Sequence, residues 1–443
     1  MSVRFGTDGV RGPANEVLTA EVAVAIGRAA VRVFPATQVV IGRDTRESGP
    51  MLAAATAAGV TAEGADAVLL DVVPTPAVAA AAASRGVPGV MISASHNPFG
   101  DNGIKLFGPG GRKLSDAEQL AVEAQIEDLL SPGLHPGPAA VGGVQSDLSA
   151  LEEYASLVVS ATEGRRLDGL RMVVDCANGS NSVVGPQVLR TLGAEVTVLS
   201  DRPDGRNINE GCGSTHPEAL AASVVSRGAD LGVAFDGDAD RLVAVDHTGT
   251  VVDGDQIIAL CALDLRSRDR LAHDTVVVTV MTNLGFRQAM AAHGITVVDT
   301  AVGDRYVLEA ITAGGFSLGG EQSGHIIFGD LATTGDGLLS AVVLSDLVVR
   351  SGRPLAELAD GAMTRLPQVL VNVRVATPMP DVADRLSAEI VEVAAELGDT
   401  GRVLLRPSGT EPVVRVMAEA ATNEQAAAVA ARLAAAVEAL AAS

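Results

Sequence analysis

The sequence predicts a multidomain α/β protein, with three related α/β domains built on mixed sheets and a smaller C-terminal α+β domain around a central cleft. Short β-branched runs alternate with Ala-rich stretches of helical length, the pattern of βα units on a parallel or mixed sheet. The chain has 443 residues, which at roughly 100–200 residues per domain asks for two to four domains. Beyond residue 366 the texture changes to two β-rich runs and one long Ala-rich helix.

Taken in order, the first block (1–150) offers helix AEVAVAIGRAAVRVF, strand TQVVIGRD, helix MLAAATAAGVTAEG, and strands AVLLDVV and GVMISAS. It closes near the Pro/Gly cluster at 131–143. The second (151–254) offers strands RMVVDC, EVTVLS, LGVAF and LVAVD. The third (255–366) offers TVVVTVM, ITVVDT and the segment FSLGGEQSGHIIF. In the fourth (367–443), VLVNVRVA and RVLLRPSGTEPVVRVMAEA precede the helix NEQAAAVAARLAAAVEALAA. Three α/β blocks of similar size point to a duplicated architecture.

Composition narrows the function classes. Lys plus Arg number 32 and Asp plus Glu 54, a formal charge of −22 that argues against nucleic-acid or anionic-membrane binding. Aromatics are 2% and Trp is absent, so platforms for stacking bases are lacking and the core must be Ala, Val and Leu. Cys176, Cys212 and Cys261 lie far apart with no CxxC pair, which suits a reducing, cytoplasmic setting rather than a disulfide framework. The N-terminus has no apolar signal region. Apolar stretches are read as broken well before the ~20 residues of a membrane span. Only Lys105 and Lys113 are lysines.

Four motifs carry chemistry. In LGVAFDGDADRL a strand ends in Asp236, Asp238 and Asp240, with Gly237 allowing a tight turn. Carboxylates this close raise one another's pKa unless a cation joins them, and hard divalent ions want such oxygens. An EF-hand loop would need Gly and Glu where Arg241 and His247 stand, so Mg²⁺ is the better match. In GVMISASHNPFGDNGIKLFG a buried strand runs into Ser95 and His96, where open α/β sheets place ligands. The serine reads as nucleophile, phosphate-binding hydroxyl or helix cap. Lys105 follows, and in an Arg-rich chain a lysine offers a movable proton that Arg does not. Lys113 is read as an accident of composition.

GGEQSGHII places Glu321, Ser323 and His325 on a glycine-bounded loop, suited to adjacent sugar hydroxyls or simply to a flexible turn. In LRPSGTEPVVRV, Arg406, Ser408, Gly409, Thr410 and Arg415 combine two guanidinium groups, two hydroxyls and a close-approach glycine, an anion cradle without a P-loop. Arg11 in FGTDGVRG adds a cation on a glycine-rich turn.

SASHNP, DGDADR, GEQSGH and RPSGTEP, in this order and one per block, resemble the α-D-phosphohexomutase superfamily over essentially the whole chain. FGTDGVRG, GRDTR and the GEQSGH variant look most like its branch acting on glucosamine phosphates. The resemblance implies interconversion of glucosamine 6-phosphate and glucosamine 1-phosphate, on the route to UDP-N-acetylglucosamine. It further implies a phosphoserine at Ser95 and a glucosamine 1,6-bisphosphate intermediate. One Mg²⁺ would be held by Asp236, Asp238, Asp240 and a phosphoryl oxygen on Ser95. Arg241 and Arg11 would supply charge, Lys105, His96 and His325 would serve the reacting groups, Glu321 and Ser323 the sugar hydroxyls, and the Arg406–Arg415 segment the distal phosphate. A phosphomannomutase/phosphoglucomutase activity and a silent phosphosugar-binding regulator are the alternatives, and a homodimer is left open. Partners are confined to a phosphosugar, with no nucleic acid and no membrane.

Overall fold

The computed structural model describes residues 5–6, 9–129, 141–407 and 412–442. Their packing divides into two units, Met1–Met281 with Ile295–Ala362, and Thr282–Gly294 with Met363–Ser443.

The first unit holds three sheets. The first sheet runs in the order Val10–Pro13, Asp101–Phe107, Gly89–Ile92, Gln38–Arg43, Asp66–Val72, Val144–Ser146. Gln38–Arg43 is parallel to both its neighbours, whereas Asp101–Phe107 runs antiparallel to Gly89–Ile92 and Val10–Pro13. The second sheet orders Val251–Val252, Leu242–Asp246, Leu231–Phe235, Arg171–Asp175, Glu195–Leu199, parallel about Arg171–Asp175 and antiparallel beyond Leu231–Phe235. The third orders Thr296–Thr300, Thr275–Thr279, Leu318–Gly320, Ile326–Phe328, with only the last pair antiparallel. The expected mixed sheets are therefore present three times with one plan.

That plan positions the site. In each sheet a buried strand of the parallel part turns back through a short polar loop into an antiparallel partner: Gly89–Ile92 into Asp101–Phe107, Leu231–Phe235 into Leu242–Asp246, Leu318–Gly320 into Ile326–Phe328. The three loops hold Ser95, the Asp236–Asp240 run and Glu321–His325. Alternation fails in all three of these leading strands because every residue is buried, as expected of strands covered on both faces. The core is aliphatic: Ile26, Leu52, Val60, Ile41 and Ile92 pack in one cluster, Val173, Leu220 and Val245 in another. Cys176, Cys212 and Cys261 are buried free thiols.

In the second unit, Gln368–Arg374, Val413–Glu419 and Arg402–Pro407 form an antiparallel sheet with Val413–Glu419 central. The helix Asn423–Ala442 lays Ala426, Ala430, Leu433 and Val437 into its core. By length and composition alone this helix is apolar enough to cross a membrane, with a mean hydropathy of 1.4 over its best window. Its apolar run is nonetheless broken by charge at Glu424, Arg432 and Glu438, as expected of the chain's apolar stretches. Alanine raises its hydropathy, and Arg432 and Glu438 are its charges near the middle and end.

The short helix Leu284–Ala292 also belongs to this unit. Asn283 caps it by accepting from Gly285 N at 3.0 Å, and exchanges two further hydrogen bonds with Leu366. Glu419, wholly buried, accepts from Leu284 N (2.9 Å), Gln368 Nε2 (2.7 Å) and Arg402 Nε (2.7 Å). Removing that carboxylate leaves three donors without an acceptor, so Glu419→Ala is expected to destabilise this unit by about 2–3 kcal/mol, read as a lower urea midpoint for its transition. An unchanged midpoint would contradict the described network.

Candidate active site

The metal loop is built by the turn after Leu231–Phe235. Asp236, Asp238 and Asp240 are buried, and one oxygen of each lies within 4.8 Å of the others. At that range each pair repels by about 3–4 kcal/mol at an effective dielectric near 20, so the loop needs cations. Lys105, on Asp101–Phe107 and 3% exposed, donates to Asp238 Oδ2 at 2.7 Å and Asp240 Oδ2 at 3.0 Å. Thr75, the first residue of the helix Thr75–Arg85, donates its hydroxyl to Asp238 Oδ2 (2.6 Å) and its amide to Asp238 O (2.9 Å). Arg241 N donates to Asp236 Oδ1 at 3.2 Å.

Asp238 Oδ1 and Asp240 Oδ1 are buried and accept no hydrogen bond, although Asp240 Oδ1 faces His325 Nδ1 at 3.6 Å. Burial first, then Asp240 and Asp238, push the Asp236 carboxyl well above its ordinary range. Buried carboxylate oxygens this close together, two of them accepting no hydrogen bond, are the donor set a hard divalent cation requires. The residues fit Mg²⁺.

Ser95 follows Gly89–Ile92. It is fully buried, and its Oγ donates to Asp236 Oδ2 at 2.5 Å and lies 3.3 Å from His96 Nδ1. The serine turn and the metal loop thus meet directly. Gly237 makes that meeting sterically possible, since a Cβ there would stand 2.6 Å from Ser95 O. Burial, then Arg241 and Arg11, lower the His96 pKa to about 4. Both arginines accordingly sit close enough to act on the ring next to Ser95.

The third loop brings Glu321, Ser323 and His325. Gly324 has φ +88°, and a Cβ would collide with Leu242 O, whose own residue bonds Gly324 O at 3.0 Å. Only glycine lets this loop dock on the metal loop's strand. Glu321 accepts from Gly303 N at 3.1 Å, and burial with Asp304 raises its pKa. Ser323 is exposed on the turn. His325 Nε2 accepts from Gly335 N at 3.0 Å while Asp304 Oδ2 stands 3.1 Å away. The amide wants a lone pair there and the carboxylate wants a proton. Burial opposes charge on the ring, but Asp304 and Asp240 outweigh it and raise its pKa.

In the second unit Arg406 and Arg415 are direct cross-strand partners. Like charges opposite each other on a ladder repel, and an anion between them would relieve this. Ser408, Gly409 and Thr410 lie outside the described residues.

Sequence reasoning passed over Thr75, Asp304, Arg46, Asn209 and Lys113. Lys113 is corrected from an accident: its ammonium is buried against Asp304 Oδ2, the carboxylate that faces His325. Both lysines of the chain therefore serve one buried charge network. Their rarity was the available signal, whereas Thr75 and Asn209 carry none in sequence.

Four domain families described as Phosphoglucomutase/phosphomannomutase match the chain, alpha/beta/alpha domains I, II and III over residues 2–132, 151–249 and 253–366, and the C-terminal domain over 370–436. The chain belongs to the phosphoglucomutase/phosphomannomutase family. It is 55% identical to a phosphoglucosamine mutase of Frankia alni, covering 99% of each chain. A Burkholderia thailandensis protein of the phosphoglucomutase/phosphomannomutase family superposes with a TM-score of 0.82 at 28% identity, covering 97% of this chain and 95% of that one. The N-acetylphosphoglucosamine mutase of Aspergillus fumigatus, solved with GlcNAc-6P and magnesium, shares the fold (TM-score 0.72, 20% identity, 98% of this chain and 95% of that one).

Two measurements test this geometry. The His96 ring should titrate near pH 4 by NMR, staying neutral through pH 5. Because its folded pKa lies below the unfolded value of 6.5, folding loses stability as pH falls from 6.5 towards 4. A ring titrating between 6 and 7 would refute the environment described. Mg²⁺ should raise the thermal midpoint of the chelator-treated protein, and Asp238→Asn should abolish the rise.

Proposed function

We propose that this chain is a phosphoglucosamine mutase, interconverting glucosamine 6-phosphate and glucosamine 1-phosphate through a phosphoserine at Ser95. The observation that carries the reading is the contact of Ser95 Oγ with Asp236 inside a buried carboxylate cluster braced by Lys105. A serine merely capping a helix has no use for such a setting. The near full-length likeness to a phosphoglucosamine mutase supports the choice of substrate.

Phosphoryl transfer asks for positioning and charge neutralisation more than covalent chemistry. The sugar O1 hydroxyl attacks phosphorus on Ser95. The P–Oγ bond breaks, the P–O1 bond forms, the hydroxyl proton leaves to a base and Oγ is protonated. After the glucosamine 1,6-bisphosphate turns round, Ser95 Oγ attacks the phosphorus on O6 and the mirror-image exchange follows. Asp236, Asp238, Asp240 and the phosphoryl oxygens on Ser95 would hold Mg²⁺. When bound, that ion supplies neutralisation of the carboxylates and of charge developing on the transferred group.

Lys105 balances Asp238 and Asp240 and in this reading supplies a proton. His96, neutral, flanks Ser95 Oγ with its Nδ1 at 3.3 Å, while the serine proton goes to Asp236 Oδ2 when no phosphoryl group is on it. His325 passes a proton between its Asp304 and Asp240 sides. Arg241 and Arg11 face the same turn as cations. Glu321 and Ser323 read the sugar hydroxyls, and Arg406 with Arg415 and the Ser408–Thr410 stretch binds the phosphate that is not reacting. The chain is divided in this reading into four domains, bounded at 1–150, 151–254, 255–366 and 367–443. Residence in the cytoplasm belongs to the same proposal.

Ser95→Ala is expected to lower turnover by at least about 1,000-fold, since the group that accepts and returns phosphate is gone. Lys105→Met should lower kcat far more than it raises KM. In a coupled assay offering glucosamine 6-phosphate, glucose 1-phosphate and mannose 1-phosphate, the amino sugar should be preferred. Preference for a hexose phosphate would replace this reading by phosphoglucomutase/phosphomannomutase activity, and unchanged turnover in Ser95→Ala would refute the phosphoserine.

A further inference from the structure

Ser95 has φ +55°, in the left-handed region that a side chain bearing Cβ rarely occupies. Some interaction must hold it there. Arg46, at the end of GRDTR, is the bulkiest fully buried side chain described. Its guanidinium carries five N–H donors, and every one is used. Nη2 donates to Ser95 O (3.0 Å) and Asn97 O (2.8 Å), Nη1 to Asp101 O (3.0 Å) and Pro98 O, and Nε to Asp44 Oδ2 (2.8 Å). One side chain thus gathers four carbonyls of the 95–101 turn.

Asn209 grips the same turn from the second domain. Its Nδ2 donates to Ser95 O at 2.9 Å and Asn97 O at 3.1 Å, the two carbonyls that Arg46 Nη2 also reaches. The frame closes behind them: Ser95 N donates to Ser93 Oγ (2.9 Å), Ser93 Oγ to Asp44 Oδ2 (2.7 Å), and Arg46 N to Asp44 Oδ1 (3.0 Å). Nothing in this frame touches Ser95 Oγ, which is left to Asp236 and His96.

We infer that Arg46 and Asn209 are positioning residues for the serine that carries the phosphoryl group, holding its backbone in the left-handed conformation so that Oγ faces the Asp236–Asp240 loop. The inference rests on the role proposed for Ser95. The geometry explains why arginine is needed. A lysine has three donors in a compact head and cannot span five acceptors arranged around a plane. Asn209 lies in the same domain as the metal loop, and its Nδ2 is 3.0 Å from where a Gly237 Cβ would be. The hydrogen bonds that hold the serine therefore also set its register against the carboxylates. Neither residue reaches the proposed sugar-reading loop, so loss of either should spare substrate affinity.

Arg46→Lys and Asn209→Ala test this, with kcat, KM, the thermal midpoint, and the rate at which Ser95 gains a phosphoryl group from glucose 1,6-bisphosphate, followed by intact mass and peptide mapping. Both variants should lose about 10- to 100-fold in kcat and in uptake rate while KM stays within about threefold, because small misplacement of a reacting atom costs rate rather than binding. Asn209→Ala removes two hydrogen bonds from a site that keeps Arg46, so it decides the matter if Arg46→Lys does not fold. A folded Asn209→Ala variant with parental kcat and uptake rate, or one in which only KM moves, overturns the inference. The parent chain is run alongside. If it takes no phosphoryl group at Ser95, the functional reading falls and this one with it; if it does and the variants match it, only the positioning role falls.

Discussion

Three carboxylates buried within one turn are the constraint around which the site is organised. Asp236, Asp238 and Asp240 are shut away from water, and desolvation costs several kcal/mol for each charge before their mutual repulsion is counted. A protein tolerates this only where compensating groups converge. Lys105 comes from the first sheet, Thr75 from a helix of the first domain, and His325 from the loop of the third sheet. The metal loop therefore draws three domains together because its charge is unstable without them.

The repeated hairpin makes such convergence possible. An antiparallel return strand after a buried strand leaves a short loop at the end of the sheet, and the chain does this three times with different side chains. Backbone contacts then join the loops. Thr75 N bonds Asp238 O, Leu242 N bonds Gly324 O, and Gly337 N bonds Ala239 O, so the metal loop and its return strand are tied to the first and third domains. Gly237 and Gly324 stand where a Cβ would force neighbouring loops apart. The glycines in DGDADR and GEQSGH thus serve loop-to-loop approach more than flexibility.

Charge is arranged in the same nested way. A chain of net charge −22 would repel a phosphorylated ligand at long range, yet cations are gathered within the site. Both lysines are there, and burial together with Arg241 and Arg11 keeps His96 neutral. Short-range placement overrides global charge because the Debye length at physiological salt is only about 8 Å.

Much was legible in the sequence. The βα alternation, the strand-ending Asp triplet, the Ser-His turn and the four ordered motifs stated the fold class and the chemistry, because strand burial, tight turns and carboxylate clusters leave local signatures. Distant partners leave none. Thr75, Asn209 and Asp304 look like ordinary residues of a helix start, a loop and a helix N-terminus, and Lys113 looked like a stray. Their roles exist only once three sheets bring their loops to one place, since a hydrogen bond or ion pair depends on proximity in space and not along the chain. The sequence alone determined which groups could do the chemistry. The tertiary structure decided which of them share buried space, and low dielectric there makes each such pairing strong.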